Sequence, residues 1–151
     1  MNLKSNKPHP VSFASMTWQE LAVKQLLVRE DIPFVQQKKI TLGGCHMILD
    51  FEIGGEILLE VSATRMHRHG VSLKLKALQI EAKYARIKKE HTYQLWVLFE
   101  SRRRVHRRLF NTLQRRMPSA DLLLTSRRQL RKSLRSVFLA EYRQKGVPQH
   151  V

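Results

Sequence analysis

The sequence holds almost nothing that could cross-link it. Cysteine occurs once, as Cys45 between Gly44 and His46, so an internal disulfide is excluded and no metal-ligand spacing surrounds the thiol; it reads as structural or incidental. Long apolar runs are missing too, since no stretch approaches the roughly 18 residues of a membrane-spanning helix, and residues 1–10 carry no apolar signal core. The expectation is an intracellular protein (cytoplasm or nucleoid) with no membrane association. Glycine and proline are sparse, at 6 and 5 residues, and the hydrophobic share of 42% is that of a chain that folds. A disordered chain lacks the apolar surface to offset its conformational entropy. At 151 residues, one domain with a single core is expected.

Acidic residues are the scarcest class relative to need. Only 12 Asp and Glu stand against 28 Lys and Arg, a formal charge of +16 at pH 7. A domain this small repels itself at that charge unless a polyanion neutralises it, and phosphate backbones are the commonest such partner. Nucleic acid, DNA or RNA, is the expected ligand. The histidines of Met66-His67-Arg68-His69 lack further Cys or His at zinc spacing and read as solvated loop residues.

Residues 1–15 show no periodicity and form a flexible lead-in, residues 16–146 the domain, and residues 147–151 a tail. Thr17-Trp18-Gln19-Glu20 has the form of a capping box and opens helix one, which Asp31-Ile32-Pro33 ends. Strand one runs from Phe34 to Leu42 with Phe34, Gln36, Lys38, Ile40 and Leu42 on one side, and Gly43-Gly44 stops it. Strands two (His46 to Ile53) and three (Ile57 to Ser62) form a hairpin about Gly54-Gly55. Helix two spans about Gly70 to His91, and Tyr93 to Phe99 is a buried strand. A basic helix to about Arg116, a break at Met117-Pro118-Ser119, the strand Leu122-Leu123-Leu124 and a helix from Ser126 to about Lys145 complete the chain.

Helix two carries two apolar stripes: Val71, Leu75, Leu78, Ala82 and Ala85, and nearly opposite them Leu73, Ala77, Ile80, Tyr84 and Ile87. That pattern predicts cover on both sides, by the sheet and by another helix or a subunit, and leaves room for a homodimer. A polar line of Lys76, Gln79, Lys83 and Arg86 lies between them.

Asp50 and Glu60 sit inside apolar strands, where a carboxylate without a partner is costly. The two-residue period places Met47, Leu49, Phe51 and Ile53 on one face of strand two, and Ile57, Leu59 and Val61 on one face of strand three. Joining those faces requires odd positions to oppose odd positions, which favours a three-residue loop, with Phe51 opposite Ile57 and Leu49 opposite Leu59. Asp50 and Glu60 then become diagonal neighbours on one face, suited to a hard divalent cation such as Mg²⁺ that activates water for strand cleavage. The alternative is that both face solvent on a half-exposed hairpin and bind nothing.

Taken with the order helix, three strands, helix, strand, the segments Trp18-Gln19-Glu20, Ile48-Leu49-Asp50-Phe51 and Leu58-Leu59-Glu60-Val61-Ser62 resemble the PD-(D/E)xK, restriction-endonuclease-like nuclease superfamily over Thr17 to about Phe99. The resemblance implies an α/β fold, a mixed central sheet flanked by helices (αβββαβ), here with a basic αβα extension over residues 102–146. It implies a metal-dependent endonuclease with Mg²⁺ or Mn²⁺ on Asp50 and Glu60, and with Glu20 as auxiliary acid, although the capping box explains Glu20 equally. Leu49 replaces the family's proline, and Ser62 replaces its catalytic lysine, a role that Lys76 or Lys83 on helix two could take over. Ser62 also leaves open a catalytically silent relative that binds nucleic acid structurally, for instance in a ribonucleoprotein.

From Arg102 to Lys145 the only acids are Asp121 and Glu141. Arg102, Arg103, Arg104, Arg107, Arg108, Arg115, Arg116, Arg127, Arg128, Arg131, Lys132 and Arg135 make this third a phosphate-binding surface, because the guanidinium fork suits bidentate phosphate contacts. Two basic helices gripping one backbone are expected, with affinity that falls steeply with salt and little sequence specificity.

Overall fold

The computed structural model describes residues 16–62, 71–100 and 105–144. The lead-in at 1–15, the tail at 147–151, the histidines at 67 and 69, and Arg102, Arg103 and Arg104 lie outside the described residues. The elements are α1 (Trp18–Arg29), β1 (Phe34–Leu42), β2 (Cys45–Ile53), β3 (Ile57–Ser62), α2 (Val71–Glu90), β4 (Gln94–Phe99), α3 (Arg107–Arg116), β5 (Leu122–Leu124) and α4 (Arg127–Gln144).

One mixed five-stranded sheet has the order β1-β2-β3-β4-β5, with β1, β2 and β3 antiparallel and β3, β4 and β5 parallel. Parallel neighbours need a crossover, which α2 and α3 supply. Leu73, Ala77, Ile80, Tyr84 and Ile87 of α2 and Leu109 and Leu113 of α3 pack with Leu58, Leu95, Val97 and Leu123 on one face of the sheet. Val23 and Leu27 of α1 and Leu130 and Leu134 of α4 pack with Leu59, Val61, Trp96 and Leu98 on the other. Residues Leu95 to Phe99 of β4 are buried without interruption, as a strand covered on both faces should be.

This three-layer arrangement corrects three expectations. Only the second stripe of α2 is covered: Leu75 and Leu78 are 58% and 57% exposed. The basic helices α3 and α4 lie on opposite faces of the sheet, so they do not close on one backbone side by side. Right-handed crossovers explain it, because strands added in order β3, β4, β5 place both crossover helices on the same face and leave α4 to the other.

The third correction concerns alternation. The β1–β2 ladder pairs Phe34 with Ile53 through Gln36 with Phe51, then resumes at Lys38 with Leu49; Gln37 and Asp50, opposite one another, fall in the interruption. Gln37 has a φ of 53°, the left-handed region that a side chain rarely adopts. Side chains therefore switch faces there: Phe34, Phe51 and Ile53 join the α1/α4 core, whereas Ile40, Leu42 and Leu49 join the α2/α3 core. The expected single face through Met47, Leu49, Phe51 and Ile53, and its counterpart on β1, are thus each broken in the middle.

Between β2 and β3 the loop has three residues, as expected, but Ile53 opposes Ile57 and Phe51 opposes Leu59, two positions from the expected pairing. Odd positions still oppose odd ones. Gly54 and Gly55 both have positive φ, 59° and 72°. A Cβ on Gly54 would lie 2.5 Å from Cζ of Phe138 on α4, whereas one on Gly55 meets nothing within 4 Å. Gly55→Ala should therefore cost about 1–2 kcal/mol of backbone strain, and Gly54→Ala about 1–3 kcal/mol more for displacing Phe138. Urea denaturation of the two variants side by side checks the difference.

Candidate active site

The acid-bearing strands part just where the chemistry is expected. The β2–β3 ladder ends at Phe51 and Leu59, so continuing its register sets Asp50 directly opposite Glu60 rather than diagonal to it. With β2 turning away, the amide of Val61 donates instead to Oδ2 of Asp50 at 2.7 Å, and the side chain does what a strand carbonyl would have done. Leu58, Glu60 and Ser62 alternate onto the α2 side of β3, and Leu58 belongs to the α2/α3 core. Glu60 is 6% exposed and Ser62 2%.

Above Glu60 passes α2. Nζ of Lys83 donates to Oε1 of Glu60 at 2.8 Å and reaches the carbonyl of Ile48 on β2 at 3.3 Å. The next residue of the helix, Tyr84, is wholly buried, its hydroxyl accepting from the Glu60 amide at 3.2 Å and donating to the Trp96 carbonyl. The backbone of Glu60 is thus tied to β4 through a phenol. Burial and the Asp50 carboxylate push the Glu60 carboxyl up to about 7, against the opposing pull of Lys83.

A third acid approaches from α1. The Thr17 hydroxyl caps the helix by accepting from the Glu20 amide at 3.2 Å, and Glu20 answers with hydrogen bonds to Thr17, completing the capping box. Glu20 is 9% exposed, and its carboxyl is raised by burial and by the field of Asp50, while Thr17 and then Lys76 hold it down. The five sequence-predicted catalytic residues are accordingly linked in series, Lys76 acting on Glu20, Asp50 on both Glu20 and Glu60, and Lys83 on Glu60.

Among the described residues no group of three or more His, Cys, Asp or Glu could hold a metal ion. The two facing carboxylates nevertheless fit a hard divalent cation: burial first and the Asp50 charge second raise Glu60, and a cation between the two would relieve the repulsion. Mg²⁺ takes one or two carboxylates and fills its octahedron with water and phosphate oxygens.

Arg107 and Arg108 begin α3 and Arg127, Arg128 and Arg131 begin α4, at the carboxyl ends of the parallel strands where Ser62 also lies. Arg115 and Arg116 close α3 at the opposite end of the sheet. Two of the arginines expected to bind phosphate also make ion pairs within the fold: Arg127 is bonded to Glu100 at 2.7 Å, and Arg135 holds Glu30 through two bonds of 2.8 and 2.9 Å. Both guanidiniums join elements of the fold.

Sequence reading missed several residues. Glu52, two positions from Asp50 in β2, carries the same signal of an acid in an apolar strand; it is 8% exposed and bound by Tyr93 at 2.7 Å and Lys38 at 3.2 Å. Tyr84 read as one more core aromatic. Arg29, at the end of α1, stands apart from the basic third in sequence but not in space.

Compared with protein-family models, curated proteins and solved structures, the chain matches none. No described helix is long and apolar enough to cross a membrane.

The raised Glu60 carboxyl has a thermodynamic consequence. A carboxylate whose folded value, about 7, exceeds its ordinary 4.5 binds protons more readily folded than unfolded. Between those values the native state holds the extra proton, so this group's contribution to stability falls as pH rises from 4.5 through 7 and then levels off. Without added metal, the melting temperature of Glu60→Gln relative to the parent should rise across that window. A pH-independent gap would show that Glu60 titrates normally.

Proposed function

We propose that the protein is a metal-dependent endonuclease that hydrolyses phosphodiester bonds in nucleic acid, built on a restriction-endonuclease-like αβββαβ core with a basic αβα extension. The supporting observation is that Asp50 and Glu60 face one another at the divergence of β2 and β3 with a lysine already on Glu60. Asp50 and Glu60 would hold Mg²⁺ or Mn²⁺, which when bound supplies charge neutralisation at the phosphate and a more acidic water. Lys83 stands where its ammonium can steady the attacked phosphate or the water, taking the part that Ser62 cannot. Glu20, on α1, lies within the field of Asp50 as the auxiliary acid. As the water oxygen bonds to phosphorus, the bond to the leaving ester oxygen breaks and that oxygen takes a proton. Arginines at the starts of α3 and α4 bring the substrate to this end of the sheet.

A second reading is favoured by the Lys83–Glu60 pair itself: an ammonium 2.8 Å from the carboxylate neutralises it without a metal, as in a nuclease fold retained only to bind, for instance inside a ribonucleoprotein. Incubating the protein with duplex, single-stranded and branched DNA and with RNA, in Mg²⁺, Mn²⁺ or EDTA, decides between them. Cutting that requires the metal supports the enzyme. Salt-sensitive binding with every substrate left intact supports the binder.

A further inference from the structure

A groove lies between α1 and α4, on the sheet face opposite α2. It encloses ≈ 320 Å³ and is lined by Ala22, Leu26, Arg29 and Glu30 of α1 and by Arg127, Arg128 and Arg131 of α4. The two helices run side by side in the same direction. At their starts the Arg127 guanidinium lies 5.5 Å from the Trp18 ring centre, and further along Arg135 grips Glu30 at the α1 terminus. The groove therefore begins within a turn of Glu20 along α1, on the sheet face opposite Glu60.

Its charge is unbalanced. Four arginines line it against one glutamate. That glutamate is already held by Arg135, and Arg127 by Glu100, whereas among the described residues Arg29, Arg128 and Arg131 form no ion pair. α4 also has no acid in its first turn, although the positive end of a helix dipole favours one and disfavours Arg127 and Arg128 there. Three exposed guanidiniums set around a cleft at a helix start make a local positive field that a line of phosphates would neutralise. Ala22 and Leu26 add uncharged surface to the lining.

We infer that this groove is a track for the nucleic-acid backbone: Arg29, Arg128 and Arg131 hold phosphates along the α1/α4 layer. This rests on the nucleic-acid reading above and deepens it, since it takes the strand over the α1/α4 layer, with an arginine from outside the basic third, and leaves Arg115 and Arg116 out of contact.

The test is binding in EDTA, where no cutting can confuse it, to labelled duplex and single-stranded DNA and the matching RNAs over a series of salt concentrations. Arg29→Ala/Arg128→Ala/Arg131→Ala should bind on the order of 10–100-fold more weakly at low salt, with the slope of log affinity against log salt shallower by about 2–3 on duplex. Arg115→Ala/Arg116→Ala should keep the parent slope. Replacing the same three groove residues by lysine should restore most of the affinity, and thermal melting confirms that each variant is folded. If the parent binds but the groove variant keeps its affinity and slope, or the α3 variant loses as much, the track is wrong while nucleic-acid binding stands. If the parent binds none of the four probes, nucleic-acid binding and the track fall together.

Discussion

Asp50→Ala is expected to lose metal-dependent cleavage by at least about 10³-fold, because a metal site of this kind contributes several kcal/mol of charge stabilisation, and to keep binding nucleic acid at close to the parent affinity. The separation follows from position. Asp50 is half-buried at the parting of β2 and β3, bonded to the Val61 amide, whereas the arginines proposed to dock nucleic acid stand on α1, α3 and α4. Asp50→Asn keeps the size and an oxygen for that amide, so it should fold at least as well and be as inactive, which removes misfolding as an explanation. Metal binding gives a readout free of turnover. Mg²⁺ at a hundredfold excess over its Kd stabilises a folded protein by about 2.7 kcal/mol, so the parent's melting temperature should rise with Mg²⁺ and that of Asp50→Ala should not. Equal rises in both would remove Asp50 from the metal site. Cleavage retained by Asp50→Asn would remove it from the chemistry.

The second large effect is expected at Tyr84, on stability. Its ring is wholly buried in the α2/α3 core, and its hydroxyl joins the Glu60 amide to the Trp96 carbonyl. Tyr84→Ala opens a cavity that should cost about 3–5 kcal/mol, much of the roughly 5–15 kcal/mol that holds a domain together. Tyr84→Phe keeps the volume and removes only the hydroxyl, leaving two buried backbone groups to find other partners at about 1–3 kcal/mol. Denaturant unfolding of the pair measures both. A Tyr84→Phe variant as stable as the parent would mean that the hydroxyl bridge contributes nothing.

Much of this architecture could be read from local pattern. Strands β1 and β3 begin and end where alternation and the flanking Pro33, glycines and Gly54-Gly55 place them, because turn formers and the two-residue period act locally. Asp50 and Glu60 stood out since charge inside an apolar strand demands a partner, and parity then put them on a common side. What escaped was decided at a distance. Nothing in the residue type of Gln37 announces a left-handed φ, as a glycine would have, so the change of face at Asp50 had no local mark. The commitment of Arg135 to Glu30, 105 positions away in the chain, is invisible in a run of arginines. Lys76 and Lys83 could not be told apart on the helix, because which one meets Glu60 depends on where α2 crosses β3. The placement of α3 and α4 on opposite layers follows from crossover handedness once β3, β4 and β5 lie in that order.

The interruption at Gln37 and Asp50 also has a mechanical meaning. On one side of it the hairpin is anchored by Phe51 and Ile53 to the layer beneath the sheet, and on the other by Leu49, Ile40 and Leu42 to the layer above. The carboxyl group is slung between two separately packed slabs like a bridge deck between piers. Loosening either slab tilts it, so distant volume changes on either side reach this acid without touching it.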